Sequence, residues 1–388
     1  MQIRGPICFL LFPTTLALYG CPGGSTNEDN ADTDTDDTDV VDVVPPDDPI
    51  GEWTWLGGPT GGLGYDIRVH PQNHDIMYVT DALAGAFKSE DGGQNWFPIN
   101  KGITARSGES DDSIPVFCLT IDPNDPNTLW AGTLDQRGVF KSTDAGQNWT
   151  QKVSGIVEET GVTFRGFTVD PKSSDIVYAA GEIASWSWSS DEKRTHAGDM
   201  TRGFVYRTTD GGDNWTAIWR GDNLARYVIV HPDDSDIIYI STGIFDRDAA
   251  NSAEDGQSPG GEGILKSTNG GQIWNQVNNG LDSLFVGSLF MHPDEPETLL
   301  AGVGNAAYPD GAGVYLTTNG GTSWEWVLEG ESIVSVEFSS SNPDIAYAGS
   351  FNSMFRSDDG AKTWTKLNDG DSWGPPNKHA GHPIDFQV

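Results

Sequence analysis

Cationic side chains are scarce in this 388-residue chain: 22 lysines and arginines stand against 57 aspartates and glutamates, a formal net charge of −35. That balance argues against nucleic acid and anionic lipid surfaces as partners, because both present negative charge that the chain repels. Neutral glycans, cations and basic protein patches remain open, and much of the charge serves solubility. Cysteine is nearly absent. Cys8 and Cys21 fall in the N-terminal segment, which leaves Cys118 alone in an apolar strand pattern. No disulfide framework is available, and Cys118 reads as a small buried hydrophobe, not a nucleophile. Hydrophobic residues make up only 36 % of the chain. The one apolar run, Ile7 to Leu18, is too short and too broken by proline for a membrane span. Glycine (48) and tryptophan (14) are plentiful. Many tight turns and large aromatic wedges suit short strands better than helix bundles.

Residues 1–20 read as a secretory segment, with Arg4 as its positive head and Ile7 to Leu18 as its apolar body. The run ends in Leu18-Tyr19-Gly20-Cys21, which resembles a bacterial lipobox. That resemblance implies a lipid on Cys21 and a place in the bacterial cell envelope, at the outer membrane or cell surface. Multiple acyl chains on one cysteine anchor a protein stably. Residues 22–50 carry ten acidic side chains and no basic one. With Cys21 they read as an extended, self-repelling tether over 21–50. Setting aside those ten and Arg4 leaves 47 acidic and 21 basic side chains in the domain expected over 51–388.

Six copies of an eight-residue signature organise that domain: Ser89 to Trp96, Ser142 to Trp149, Thr208 to Trp215, Ser267 to Trp274, Thr317 to Trp324 and Ser357 to Trp364. Each begins with a hydroxyl residue and has Asp or Asn at the third position (Asp91, Asp144, Asp210, Asn269, Asn319, Asp359). Each ends in tryptophan (Trp96, Trp149, Trp215, Trp274, Trp324, Trp364). Successive tryptophans are 53, 66, 59, 50 and 40 residues apart. A carboxylate or amide oxygen there can accept turn amides, and glycine supplies positive φ, so the signature is a hairpin turn. Two further strands precede each copy. The first ends in a His-Pro or Asp-Pro step at His70, Asp122, Asp170, His231 and His292; the second contains sequences such as Asp75-Ile76-Met77-Tyr78. A slot shared by His and Asp before Pro is a polar turn position, which disposes of a histidine metal site. His379 and His382 form an isolated pair, so no metal and no cofactor are assigned.

Four strands per repeat at this period predict an all-β fold: a seven-bladed β-propeller of four-stranded antiparallel blades. Six blades are complete. Trp53 to Leu56 matches an outer strand and Ile384 to Val388 an inner one, so both chain ends are expected to form a partial seventh blade. That blade lacks its two middle strands, so the domain is expected to be C-terminally incomplete at Val388.

The signature is the Asp-box, or BNR, pattern. With the strand pair before it, the region 53–388 resembles the sortilin/VPS10 propeller, the xyloglucanase-type glycoside hydrolases and the photosystem assembly propellers. The xyloglucanase pattern Tyr-Ala-Arg-Thr-Asp-Ile-Gly-Gly-Ala-Tyr carries an acid/base aspartate. Tyr78 to Phe87 has the same length, with Asp81 one place earlier. Those enzymes take a second carboxylate from a second propeller. The three arginines of a sialidase, beginning in Arg-Ile-Pro, have no match at Arg165-Gly166-Phe167.

The long insertions 99–115, 181–203, 243–263, 302–313 and 368–383 all connect strands at one end of the ring, which marks that end as the binding face. Arg165 and Arg226 share a position at the start of the innermost strand with Tyr65, Phe117, Gly287 and Val334. Their nearest partners in sequence are Glu182, Asp246 and Arg247. The set reads either as a ligand site or as an ion-pair network closing the channel. Trp186 and Trp188 fall on one side of an extended segment and suit either stacking on sugar or packing on a neighbouring loop. The leading expectation is a monomeric surface protein that binds an extracellular polysaccharide or protein without catalysis. The alternatives are an inverting glycoside hydrolase using Asp81 and Glu182, whose carboxyls would need a separation of roughly 6.5–9.5 Å, and an assembly scaffold.

Overall fold

A computed structural model describes residues 64–367, apart from 109, 185–200, 245–260, 306–307 and 352. The signal segment, Cys21 and the acidic tether lie outside the described residues. No helix among the described residues is long and apolar enough to cross a membrane.

The described chain is a β-propeller of six four-stranded antiparallel blades, each a meander whose strands pair in chain order. Blade one holds β1 (Gly64–Val69), β2 (Met77–Asp81), β3 (Gly85–Ser89) and β4 (Phe97–Pro98). Blade two holds β5 (Val116–Ile121), β6 (Leu129–Thr133), β7 (Val139–Ser142) and β8 (Thr150–Gln151). Blade three holds β9 (Val162–Asp170), β10 (Ser173–Ala184), β11 (Thr201–Thr208) and β12 (Thr216–Gly221). Blade four holds β13 (Ala225–His231), β14 (Asp234–Thr242), β15 (Ile264–Thr268) and β16 (Asn275–Gln276). Blade five holds β17 (Val286–Met291), β18 (Leu299–Asn305), β19 (Tyr308–Thr317) and β20 (Glu325–Glu329). Blade six holds β21 (Ile333–Phe338), β22 (Ala346–Ser350), β23 (Met354–Ser357) and β24 (Thr365–Lys366). The innermost strands β1, β5, β9, β13, β17 and β21 pack in series.

The blade count corrects the sequence expectation. Six blades are present among the described residues, where a seventh, partial one was expected. A blade needs the third strand, the turn signature and the fourth strand, and the chain holds six copies of that unit. The two segments assigned to the partial blade, 53–56 and 384–388, lie outside the described residues.

Each turn is held by its own side chains. In blade three the Thr208 hydroxyl donates to Asp210 Oδ1 (2.8 Å) and accepts the Gly212 amide (3.0 Å). Asp210 Oδ1 accepts the Asn214 amide at 2.8 Å. The same pattern recurs around Asp91, Asp144, Asn269, Asn319 and Asp359. The His/Asp-Pro slots are turn positions too. His70, His231 and His292 accept an amide two residues on through Nδ1, as Asp122 and Asp170 do through Oδ1.

Between blades lies an apolar layer. The turn tryptophan reaches back to the preceding blade: the indole of Trp149 donates to Ile99 O, Trp215 to Lys152 O, Trp274 to Ile218 O and Trp324 to Val277 O. A second repeating device sits across the second and third strands of five blades. A cation lies over the ring opposite it in register: Lys88 on Tyr78, Lys141 on Trp130, Arg207 on Tyr178, Lys266 on Tyr239 and Arg356 on Tyr347. In blade five both partners are leucine, Leu300 opposite Leu316. Ring and cation are thus a coupled choice, as expected when the pair and not either side chain carries the contact.

Candidate functional site

In a four-stranded meander the connection between the second and third strands leaves from the same end as the connection to the next blade. The tryptophan turns sit at the opposite end. The loop-rich end therefore carries Asp81, Arg165, Glu182 and Arg226.

Around the axis, one strand position repeats as Tyr65, Phe117, Arg165, Arg226, Gly287 and Val334. Arg165 lies over the Phe117 ring (5.1 Å to its centroid) and donates through Nε to Glu182 Oε1 at 2.8 Å, with Nη2 on the same oxygen. Glu182 Oε2 accepts from the Thr201 hydroxyl at 2.7 Å. Both members of the ion pair are buried. A buried, hydrogen-bonded pair is costly to break from either side, because the remaining charge is stranded. Arg226 donates to Gly287 O (2.8 Å) and Val334 O (2.6 Å) and lies over the Tyr227 ring. Beside it Leu224, Ile244 and Val334 form a small buried cluster.

Asp81 closes β2. Its Oδ1 accepts the amides of Leu83 (2.8 Å) and Ala84 (2.9 Å), and the residue is 2 % exposed. By register with the innermost strand Asp81 holds the position of Thr133, Thr242 and Ser350 in other blades. Each of those hydroxyls also ties its own connection: Thr133 to Gln136 O, Thr242 to Gly263 O, and Ser350 to the Ser353 amide. Asp81 is therefore a turn cap in this fold. It belongs to blade one and Glu182 to blade three, and each is engaged by its own surroundings. Tyr65 falls in β1. Asp246, Arg247, Trp186, Trp188, His379 and His382 lie outside the described residues.

A different carboxylate pair has the electrostatics of an acid/base site. Glu262 ends the long connection between β14 and β15, and Asp222 starts the connection from β12 to β13. Burial, and then the Asp222 charge, push the Glu262 carboxyl above its ordinary range. A side chain at Gly221 would meet Glu262 Oε1 at 2.6 Å and the Trp219 ring at 2.3 Å, so carboxylate and indole flank that backbone. Next to Asp222, Asn223 is buried and its Oδ1 has no hydrogen-bond partner among the described residues. Asp222 itself is exposed and lies 3.9 Å from the Arg202 Nε, so the pair sets a half-buried carboxyl beside an open one. The sequence offered one signal for this pair: both members lie in connections of the loop-rich end.

No family model matches the chain. Its sequence is similar to xyloglucanases. A xyloglucanase of Paenibacillus sp is 24 % identical over 254 residues, covering 59 % of this chain and 22 % of that protein. Xyloglucanase Xgh74A of Acetivibrio thermocellus is 28 % identical over 153 residues, covering 37 % of this chain and 17 % of that one. The chain thus spans about a fifth of the length of these curated relatives. Among solved structures, the GH74 enzyme of Niastella koreensis matches with a TM-score of 0.53 and 21 % identity, over 78 % of this chain and 46 % of that one. An ancestral GH74 enzyme matches at 0.57 and 18 % identity, over 81 % and 40 %. YCF48 bound to D1 peptide matches at 0.50 and 16 % identity, over 80 % and 83 %. At these identities the structural likeness shows the propeller fold.

Proposed function

We propose that this protein acts on an extracellular β-glucan of the xyloglucan type as a glycoside hydrolase. The observation that carries this reading is the sequence similarity to xyloglucanases over as much as 254 residues. The chemistry asked of the fold is proton donation to a glycosidic oxygen and a carboxylate that activates water or attacks the sugar. Glu262, with its raised pKa, takes the acid role, and Asp222 takes the other. Asp81 and Glu182 keep the site's framework in shape and do not form the acid/base pair. The lipobox-like Cys21 supports an anchored location at the cell envelope, with the acidic tether as spacer.

The test is reducing-sugar release from xyloglucan by the full chain, with substitutions read beside a folding control. Glu262→Gln is expected to lower release by about 10²-fold or more, in line with loss of a general acid, with circular dichroism unchanged. Release that survives Glu262→Gln and disappears in Asp81→Asn, with the fold intact, would restore Asp81 as the acid/base group. A second reading, recognition of the glucan without cleavage, is favoured by the structural ties of Asp81 and Glu182. Retention on immobilised xyloglucan with no release at any pH would establish it.

A further inference from the structure

Above blade two, at the loop-rich end, the β4–β5, β6–β7 and β8–β9 connections enclose an open cavity of about 630 Å³. That volume lies inside the roughly 300–1,000 Å³ usual for small-ligand sites. Arg106 and Arg137 line it. Every other described arginine touches a carboxylate or an aromatic ring. These two do neither among the described residues, in a chain with more than twice as many acids as bases.

Both guanidinium groups are nonetheless fixed. Arg106 Nη1 donates to Ile103 O (2.8 Å) and Ala105 O (2.7 Å). Arg137 Nη1 donates to Ile156 O at 3.2 Å. Their Nε and Nη2 groups make no further hydrogen bond to described residues, so each keeps a free fork. The wall is fixed too. Ser107 and Ser113 exchange backbone hydrogen bonds at 3.0 and 3.2 Å, and Gln136 bridges to Thr160.

We propose that this cavity binds a uronate unit of an acidic polysaccharide, its carboxylate held by the Arg106 and Arg137 forks. A planar carboxylate matches a guanidinium fork through two parallel hydrogen bonds. Gln151 and Thr160 line the same cavity and suit sugar hydroxyls. No aromatic ring among the described residues lines it, so they offer none of the stacking on which neutral glucans depend. Asp111, Asp135 and Glu159 also line it and disfavour denser anions such as phosphate. The strong net charge of the whole chain does not forbid the site, since charges beyond about 8 Å are screened at physiological salt. The inference rests on the reading that the partner is a glycan; it does not need the hydrolase activity.

The experiment is calorimetric titration of the full chain with trigalacturonate, its methyl ester and cellotriose. Saturable binding of the acid alone is expected, weakening as salt rises. Arg137→Gln and Arg106→Gln should each weaken it about tenfold or more, with circular dichroism and xyloglucan release unchanged. Absence of binding, equal binding of acid and ester, or wild-type affinity in both folded variants would overturn the proposal. The ester comparison needs no variant and so decides the matter even if a substitution misfolds. Uronate binding without xyloglucan release would sink the hydrolase reading alone; release without uronate binding would sink this one alone.

Discussion

The joint between blades two and three and the joint between blades five and six are built from the same turn, yet they are held differently. At the first, Trp215 is 3 % exposed, its amide donates to Ser154 O (2.8 Å) and its indole to Lys152 O (3.0 Å). Lys141 of blade two also reaches the turn of blade three, donating to Gly211 O at 3.2 Å. At the second joint, the Trp364 indole donates to Ala361 O of its own turn (3.2 Å), and Leu316 stands where a cation would reach across. That joint rests on the apolar layer of Leu300, Leu316, Ile333, Phe338 and Phe355, with one cross-blade bond from the Val336 amide to Ser288 Oγ (3.0 Å). The turn signature thus specifies a hairpin. Whether its tryptophan also latches two blades depends on the blade before it.

Breaking the latch outright gives the largest effect. Trp215→Ala removes a buried ring, an edge-on contact with Trp130 (5.8 Å between centroids) and the indole hydrogen bond. A loss of about 3–5 kcal/mol is expected, read from the denaturant midpoint. Trp364→Ala should cost clearly less, because that ring is half-buried and its hydrogen bond is local. Equal losses would show that neither the burial of the ring nor the latch sets the cost.

Glycine sharpens the same contrast. Gly155 has φ +89°, and a Cβ there would lie 2.1 Å from Trp215 O. Gly155→Ala therefore adds a backbone clash at the joint to the left-handed penalty, and about 3 kcal/mol or more is expected. Gly360 has φ +72° with nothing near its would-be Cβ. Gly360→Ala should cost only the conformational term, about 1–2 kcal/mol. Ala145 already occupies the same turn position at φ 56° in blade two.

These contrasts explain how much could be read in advance. The turns, the strand order and the polar slot before proline repeat, so each copy confirms the others. Arg165 and Glu182 were legible as neighbours because both sit near known strand positions. Glu262 and Asp222 were not, because the field of one on the other depends on where two unlike connections fold back. Arg106 and Arg137 were missed for the same reason, although two arginines in the connections of so acidic a chain were a usable signal. Asp81 reads as catalytic by motif, and only register with Thr133, Thr242 and Ser350 shows it to be a cap.

Lys141 offers a smaller lever on the joint. Its ammonium lies 4.9 Å from the Trp130 ring centroid and donates to Gly211 O. Lys141→Met keeps most of the stem and loses both contacts, so about 1 kcal/mol is expected. No change in the denaturant midpoint would reduce the cross-blade cation to a passenger.

The smallest effect separates turn from joint by pH. In the turn of each blade, side-chain and backbone hydrogen bonds from Asn214 lower Asp210 to about 2, and those from Thr363 lower Asp359 to about 2. A carboxyl whose folded pKa lies below its ordinary 3.8 adds stability that is complete above the ordinary value. That contribution is lost as pH falls through the folded value, so the window runs from about pH 4 down to about 2. Asp210 belongs to a latched joint and Asp359 to a largely apolar one, yet the hydrogen bonds that shift them come from the same position of the turn. Asp210→Asn and Asp359→Asn should therefore flatten the acid limb of stability by equal, small amounts, as the asparagines at 269 and 319 already do for blades four and five. The check is the urea midpoint at pH 7 and pH 2.5 for each variant. A larger change for Asp210→Asn would mean that protonation loosens the joint as well as the turn, and the two would no longer be separable.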